Sequence, residues 1–569
     1  MILKEIEVFC VLKNIKLKKT LRLCDFQQNT KHKTPKTKYQ TMKPETLQKI
    51  LEENILSQGS KEKLKALHEN ISKREFSDLL DAEGNQYVEF VQEGGGVWGS
   101  ALVGYLYGLE IFGIRFLKVA GTSAGAINTM LIAACKTKEE AKSEAIKEIL
   151  FNWNFADFMD GKSYVKSTIH AMLNNKNFFK INLIITIILT VGLISLPFIL
   201  PSETTREAKL YFLIPIVPLI ILLLILKKLY LNFQKSNSGL NPGNVFEDTM
   251  KNVLNDFGIK TVAELNKKFI QKEYELNLNY RYGNGMEFYT NALNGIEEIK
   301  MNHLEHIDET QYRIYFEGIE NNDYYKNNPF YQLKSEYTVV TTDINAKIKV
   351  QLPIMANLYW SEEELKHISP AEFVRASMSV PFFFEPMQKL INKDDDSVKY
   401  AWKFWMNTSK ENIYPVGIFI DGGSISNFPI DLFHVTDIFY PRLPLFGVQL
   451  TSDSAINEEK GKTSEQILKT PLSYAGNIIE TLKGFNDKSF LTKYSFYNLY
   501  SIKTVNCGTS SWLNFFMKRE EKEQLFNAGF VAALDFLNQF DWTEYKRERM
   551  MVAMKEKKIL KEKDTPTVG

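Results

Sequence analysis

Apolar and polar positions change rhythm several times along this chain, and each change marks an expected element. Tyr87-Val88-Glu89-Phe90-Val91 is a short strand-like run with alternating character. A glycine-rich loop, Gly94–Gly99, follows it, and Ala101, Leu102, Gly104, Tyr105, Leu106 and Leu109 then recur at helical spacing over 100–112. Phe116–Ala120 predicts a second strand, Gly121–Gly125 a second glycine-rich loop, and Ala126–Cys135 a second helix. This strand–loop–helix repeat favours a parallel α/β sheet with right-handed crossovers. Further strands are expected at Tyr337–Thr341, Val416–Ile420 and Leu445–Leu450, and a helix at Pro370–Ser379. Lys522–Leu537 predicts an amphipathic helix carrying Leu525, Phe526, Gly529, Ala532, Ala533 and Phe536 on one side, with a loose, charged tail from Glu544. Short charged helices are expected over 44–84, where Ile50, Leu51, Ile55 and Leu56 repeat at helical spacing after Pro44. Residues 240–335 are polar and rich in asparagine and tyrosine, and no chemistry is assigned to them.

The rhythm vanishes at 181–226. Ile181–Leu200 holds no charge, and after a turn with Glu203, Arg206, Glu207 and Lys209 the run Leu210–Leu226 is again uncharged. A helix of about 20 residues spans roughly 30 Å, the thickness of a bilayer's hydrocarbon core. The second run, with Pro215 and Pro218, is at the short end of that range. Both runs are apolar on every face, which favours an inserted transmembrane hairpin over a buried core pair. Lys176, Lys180, Lys227 and Lys228 flank it. The excess of flanking lysine places both outer ends, and the α/β body, on the cytoplasmic face.

Length and composition narrow the classes. At 569 residues more than one structural unit is expected. A net charge of +2 gives no general argument for nucleic acid. The four cysteines have no CxxC spacing and the seven histidines no HExxH pattern, so neither a disulfide framework nor a zinc site is expected. No EF-hand-like loop occurs, and neither a metal nor a cofactor is called for. Residues 1–43 are basic and read as a disordered extension, or as sequence upstream of a start at Met42.

The candidate chemistry lies in the two loops. Gly121-Thr122-Ser123-Ala124-Gly125 has the Gly-x-Ser-x-Gly form, which places a serine on a tight strand-to-helix turn with its hydroxyl exposed. Gly94, Gly95 and Gly96 offer backbone N–H groups beside a helix N-terminus, suited to a developing oxyanion. Gly94–Gly99 also fits Gly-x-Gly-x-x-Gly, but the following strand ends in Ala120-Gly121 rather than an acidic residue, so a dinucleotide site fails its context. Asp421, in Asp421-Gly422-Gly423 after an apolar strand, can serve as the base, and its glycines let the loop approach the elbow. A turn-forming role for Asp421 is the plainer alternative.

The ordered set Gly94-Gly95-Gly96-x-x-Gly99, Gly121-x-Ser123-x-Gly125 and Asp421-Gly422-Gly423 resembles the patatin-like phospholipases. Thr341-Thr342-Asp343, the Arg375-Ala376-Ser377 to Pro386 segment and Asn427-Phe428-Pro429 match lesser motifs of that family. The resemblance covers about 87–450 and implies an α/β/α sandwich with a central, mostly parallel sheet. It divides the chain into an N-terminal helical segment at 44–84, a catalytic domain at 85–450 interrupted by 181–226, and a C-terminal helical region at 451–569. It also implies hydrolysis of membrane lipid esters by a Ser123–Asp421 dyad, with Gly94–Gly96 as the oxyanion hole and Gly99, Gly121, Gly125, Gly422 and Gly423 supporting the loops. Trp98 stands where the family usually has Arg or Lys; it either faces a membrane interface or packs beside the loop. Two rivals remain: a Ser123–Asp421–His434 triad of the α/β-hydrolase order, and a membrane scaffold without turnover.

Overall fold

The computed structural model describes residues 44–163, 239–270, 278–280, 286–320, 334–435, 440–453 and 484–560, with positions 166, 455 and 456. The basic segment 1–43 and the expected hairpin at 181–226 lie outside the described residues. Among the described residues no helix is long and apolar enough to cross a membrane.

The described strands are β1 (Leu79–Leu80), β2 (Gln86–Gln92), β3 (Ile114–Thr122), β4 (Gly239–Asn241), β5 (Asn279–Tyr280) and β6 (Glu336–Asp343). They continue with β7 (Ile348–Leu352), β8 (Phe382–Phe384), β9 (Met387–Leu390), β10 (Val416–Asp421), β11 (Leu445–Thr451) and β12 (Ile502–Asn506). The main sheet runs β12-β11-β2-β3-β6-β10-β9, while β4 and β8 form a separate pair. From β12 to β6 every neighbour is parallel. Beyond β6 the direction reverses, because β7 and β10 both pair with it antiparallel and β9 pairs antiparallel with β10. β1 and β5 add antiparallel pairs beside β2. The sheet is therefore mixed, which corrects the mostly parallel sheet expected from the sequence. The repeat that motivated that expectation covers only β2 and β3, and the short turn from β6 to β7 brings the chain straight back.

Parallel strands need cover on their faces, and β2 and β3 obtain it from the helices that follow them, Gly99–Glu110 and Ala124–Ala134. The first of these is buried on all sides, since helix Arg519–Gln539 lies against its outer face. The two helix backbones touch. A Cβ on Gly104 would stand 1.9 Å from the Phe526 carbonyl oxygen, and one on Gly529 would stand 1.9 Å from that of Ala101. Gly108 meets Ala533 in the same way, and Tyr105 and Tyr107 pack against Phe536 and Phe526. The C-terminal region also supplies β12. The expected loose tail from Glu544 is instead helix Trp542–Glu556, whose Tyr545 hydroxyl accepts the Leu445 N–H at 3.0 Å. Its apolar positions outweigh the surrounding charges once packed: Trp542 and Tyr545 join the main core, and Met550 and Met554 a second cluster with Ile296, Ile299 and Tyr312.

Around the segment that contains 181–226 the described chain is pinned. The Asp160 carboxylate accepts the Gly243 N–H at 2.8 Å and the Val245 N–H at 3.1 Å, and Asn241 accepts the Gly161 N–H at 3.1 Å. Departure and return points therefore stand side by side. Arg375 secures the return by donating to the carbonyls of Pro242 and Glu385.

Candidate active site

β3 ends at Thr122, and the following helix starts at Ala124, so Ser123 alone makes the turn between them. Its backbone is at φ 52° and ψ −116°. A non-glycine residue held at positive φ outside the helical wells carries roughly 1–3 kcal/mol of strain, which persists only where the surroundings enforce it. The surroundings here are glycines at close approach. A Cβ on Gly121 would lie 2.3 Å from the Gly125 carbonyl group, and one on Gly125 would lie 2.4 Å from the Gln92 carbonyl oxygen. The Ser123 N–H donates to the Ser377 hydroxyl at 2.9 Å, and that hydroxyl donates to the Val340 carbonyl at 2.6 Å. The Ser123 backbone is thus tied to β6.

Asp421 closes β10 opposite Thr341, and Thr122 lies opposite Val340 on the other side of β6. The two candidate catalytic residues therefore flank one strand at nearly the same height. After Asp421 the chain turns across the strand ends. Its carboxylate accepts the Gly423 N–H at 2.7 Å. Gly422 sits where a Cβ would be 2.3 Å from the Val340 carbonyl oxygen and 2.9 Å from the Thr122 methyl. The Ser426 carbonyl then accepts the Thr122 hydroxyl at 3.0 Å, and the Asn427 carbonyl accepts the Gly94 N–H at 3.0 Å. One loop thus touches β6, β3 and the end of β2 in turn.

The first glycine loop meets this crossing. A Cβ on Gly94 would lie 2.5 Å from the Asn427 side-chain oxygen and 3.2 Å from the Ser123 Cβ. A Cβ on Gly423 would be 2.5 Å from the same Asn427 oxygen and 2.8 Å from Asp421 Oδ1. The first glycine loop and the Asp421 loop therefore pack around Asn427, with glycine where a side chain would collide. Gly96 is needed on a further count. Its φ is +54°, and a Cβ would stand 2.3 Å from the Trp512 carbonyl, which accepts the Val97 N–H. Of the expected donors Gly94, Gly95 and Gly96, the Gly94 amide is already committed to the Asn427 carbonyl.

Ser123 lines a narrow cavity. Its walls are almost wholly apolar: Ile127 from the helix after Ser123, Leu150, Trp153, Phe155 and Phe158 from the next segment, and Phe246. Met378, Val380 and Phe384 add one side, and Trp512, Leu513 and Phe515 another. Lys522 donates to the carbonyls of Leu150 and Trp153, holding the aromatic wall. A lining of this kind favours apolar groups, because each buried methylene contributes roughly 0.8 kcal/mol.

His434 does not join this group. Its Nδ1 lies 2.8 Å from the Tyr497 hydroxyl and 3.1 Å from an Arg549 guanidinium nitrogen, and its ring packs on Tyr494. Burial, with Arg549 beside it, pushes its pKa down to about 4. The triad partner expected as an alternative therefore has other neighbours. Trp98 is only 7% exposed and packs in the main core, which settles its two readings in favour of packing. No group of acidic, cysteine and histidine side chains able to hold a metal occurs among the described residues.

A comparison with models of protein families matches residues 90–434 to the patatin-like phospholipases. The chain belongs to this family. The match starts in β2, takes in both glycine loops and Asp421, and ends at His434. A stretch of 54 residues is 52% identical to YqhO, an uncharacterized protein of Bacillus subtilis (strain 168); it makes up 10% of this chain and 19% of that relative. This chain thus spans about a fifth of the curated relative it matches. Among solved structures, VipD from Legionella pneumophila aligns over 82% of this chain and 70% of its own, with 14% identity and a TM-score of 0.31.

Three parts of this patatin-like site went unassigned in the sequence. Ser377 and Asn427 lie within matched motifs, but their roles depend on Val340 and Gly94, which are distant in sequence. Trp512 belongs to a stretch with no recognisable pattern.

Proposed function

We propose that this protein is a lipid acyl hydrolase that cleaves fatty-acyl esters with Ser123 as nucleophile and Asp421 as base. The observation that carries this reading is a strained serine elbow opening into an apolar cavity, with the Asp421 loop wrapped across it. In the first half-reaction the Ser123 Oγ attacks the ester carbonyl carbon and its proton passes to the Asp421 carboxylate. The carbonyl oxygen becomes an oxyanion facing the amides of Gly95 and Gly96 and the positive end of the helix at Ala124. The ester bond breaks, and the leaving alkoxide takes the proton from Asp421 and departs as an alcohol. Asp421 then deprotonates a water that attacks the acyl carbon. Ser123 Oγ regains the proton, and the fatty acid leaves.

The test is labelling by a serine-directed fluorophosphonate together with fatty-acid release from a panel of phospholipid, lysophospholipid and neutral glyceride esters. Wild type should label and turn over, and Ser123→Ala should do neither. An unlabelled but folded wild type would favour a scaffold without turnover.

We also propose, on the apolar pattern of 181–226, that this segment anchors the chain in a bilayer with the α/β body on the cytoplasmic face. Carbonate and high salt should then leave the full chain with membranes, while detergent extracts it. Recovery as a soluble monomer overturns this.

A further inference from the structure

Helix Phe485–Lys493 lies outside the family-matched residues, yet it presents a buried carboxylate to the centre of the site. Asp487 Oδ1 accepts the Ser426 hydroxyl at 2.7 Å, and Oδ2 accepts the backbone N–H groups of Asn427 at 2.7 Å and Phe428 at 2.8 Å. All three donors come from consecutive residues of the loop that leaves Asp421. This loop then binds each of the other catalytic elements. The Ser426 carbonyl holds the Thr122 hydroxyl at 3.0 Å, one residue before the nucleophile. The Ser426 N–H donates to the Gly422 carbonyl at 2.9 Å, one residue after the base. Asn427 grips Gly94 twice, accepting its N–H at 3.0 Å and donating its side-chain amide to the Gly94 carbonyl at 3.0 Å. The same amide reaches Glu93 at 3.1 Å, and Glu93 holds the Leu450 N–H at 2.6 Å.

We propose that Asp487 is a positioning residue of the catalytic centre: through Ser426 and Asn427 its carboxylate fixes the oxyanion loop against the Ser123–Asp421 pair. Two backbone amides and a hydroxyl on one buried carboxylate set the loop's path more tightly than neutral acceptors could, since such bonds are shorter and stronger. The reach to Gly94 matters because Gly95 and Gly96 follow it directly. Misplacement of a catalytic group by about 1 Å costs up to roughly 100-fold in rate.

The proposal rests on the hydrolase reading, and its test has an arm that does not depend on turnover. Asp487→Asn keeps the side chain's size but removes the charge and leaves one acceptor oxygen where the carboxylate offered two. In the full-length variant, hydrogen exchange at the 93–97 amides should rise while helix Gly99–Glu110 stays protected. The kcat for a soluble ester should fall roughly 10- to 100-fold with KM within about twofold. Asp487→Glu should recover part of the loss. Lys488→Ala, an exposed neighbour on the same helix, should match wild type. Asn427→Ala combined with Asp487→Asn should lose less than the product of the two single losses, because the two changes share part of one route to Gly94. Unchanged exchange at 93–97, multiplicative losses in the double variant, or a loss confined to KM would each overturn the proposal. Failure of the hydrolase reading shows separately, as a wild type that the fluorophosphonate does not label.

Discussion

His434 offers one substitution that tests both the mechanism and the electrostatics. In the folded chain the imidazole is partly buried and shares its Nδ1 with Tyr497 and Arg549, so it is held neutral and its pKa falls from 6.5 to about 4. The unfolded chain keeps a value near 6.5. Between these values the unfolded state binds the extra proton, so stability is lost as pH falls from about 6.5 toward 4. At about 1.36 kcal/mol per tenfold change in proton affinity, the ceiling is near ~3 kcal/mol. The ring keeps some solvent contact, which screens the effect and brings the expected value to about 1–2 kcal/mol. His434→Gln removes the titration and keeps an acceptor for Tyr497 and Arg549. Denaturant unfolding should therefore show wild type losing about 1–2 kcal/mol more than the variant between pH 7 and pH 4.5. Other acids titrate in both proteins and cancel in the difference. The same variant should retain turnover within a fewfold, because the ring's partners are Tyr497, Arg549 and Tyr494 and the proposed dyad does not use it. Parallel pH–stability curves would refute the electrostatic argument. A loss matching that of Ser123→Ala would restore the triad and remove Asp421 as sole base.

Ser123→Gly should abolish turnover and raise stability by about 1–3 kcal/mol, since glycine accepts the positive φ without strain; calorimetry that finds no gain contradicts the strain. Asp421→Asn should cost several orders of magnitude in kcat while the protein stays folded, because an amide cannot take the serine's proton; a pH–rate profile that keeps its acidic limb in the variant argues against this role. Gly529→Ala should destabilise by at least about 1–3 kcal/mol, as its methyl meets the Ala101 carbonyl oxygen; an unchanged melting temperature would show that the helices can separate freely. Replacing 181–226 with a short polar linker should leave activity on soluble short-chain esters but greatly reduce it on bilayer phospholipid, and equal loss on both would assign that segment to the fold.

What the sequence makes legible here is what a local collision demands. Gly121 and Gly125 are glycine because the elbow's two arms and the end of β2 leave no room for a Cβ, and Gly422 because the acid loop lies on β6. Only the Gly121–Gly125 approach falls within a few residues; the contacts of Gly125 with Gln92 and of Gly422 with Val340 are distant, and there the glycine itself is the visible trace. The strands and helices from Gln86 to Ala134 are legible as well, since each amphipathic or apolar run is followed by its own turn chemistry. Asp487 and β12 leave no such trace. An acidic residue on a polar helix looks solvated until Ser426, Asn427 and Phe428 are seen to point at it. The mixed character of the sheet is hidden too. β9 and β10 are short, and their direction depends on the excursion through helix Asp396–Met406 rather than on any repeat.

The family motifs describe the catalytic groups, but the geometry they need comes partly from beyond the matched residues. Helix Gly99–Glu110 begins directly after the oxyanion loop, and its placement is fixed by backbone contact with helix Arg519–Gln539. Trp512 presses its carbonyl into the space a side chain at Gly96 would fill, and with Leu513 and Phe515 it closes one side of the cavity. Lys522 holds the opposite, aromatic wall by its carbonyls. Each contact acts on a different catalytic or binding feature: loop position, amide direction and cavity shape. In the proposed mechanism a serine nucleophile without a histidine relay has only its base and its oxyanion donors to lower the barrier, so small errors in their placement are not absorbed elsewhere. That dependence gives a physical reason for the C-terminal elements to share one core with the sheet, instead of standing as a separate appendage.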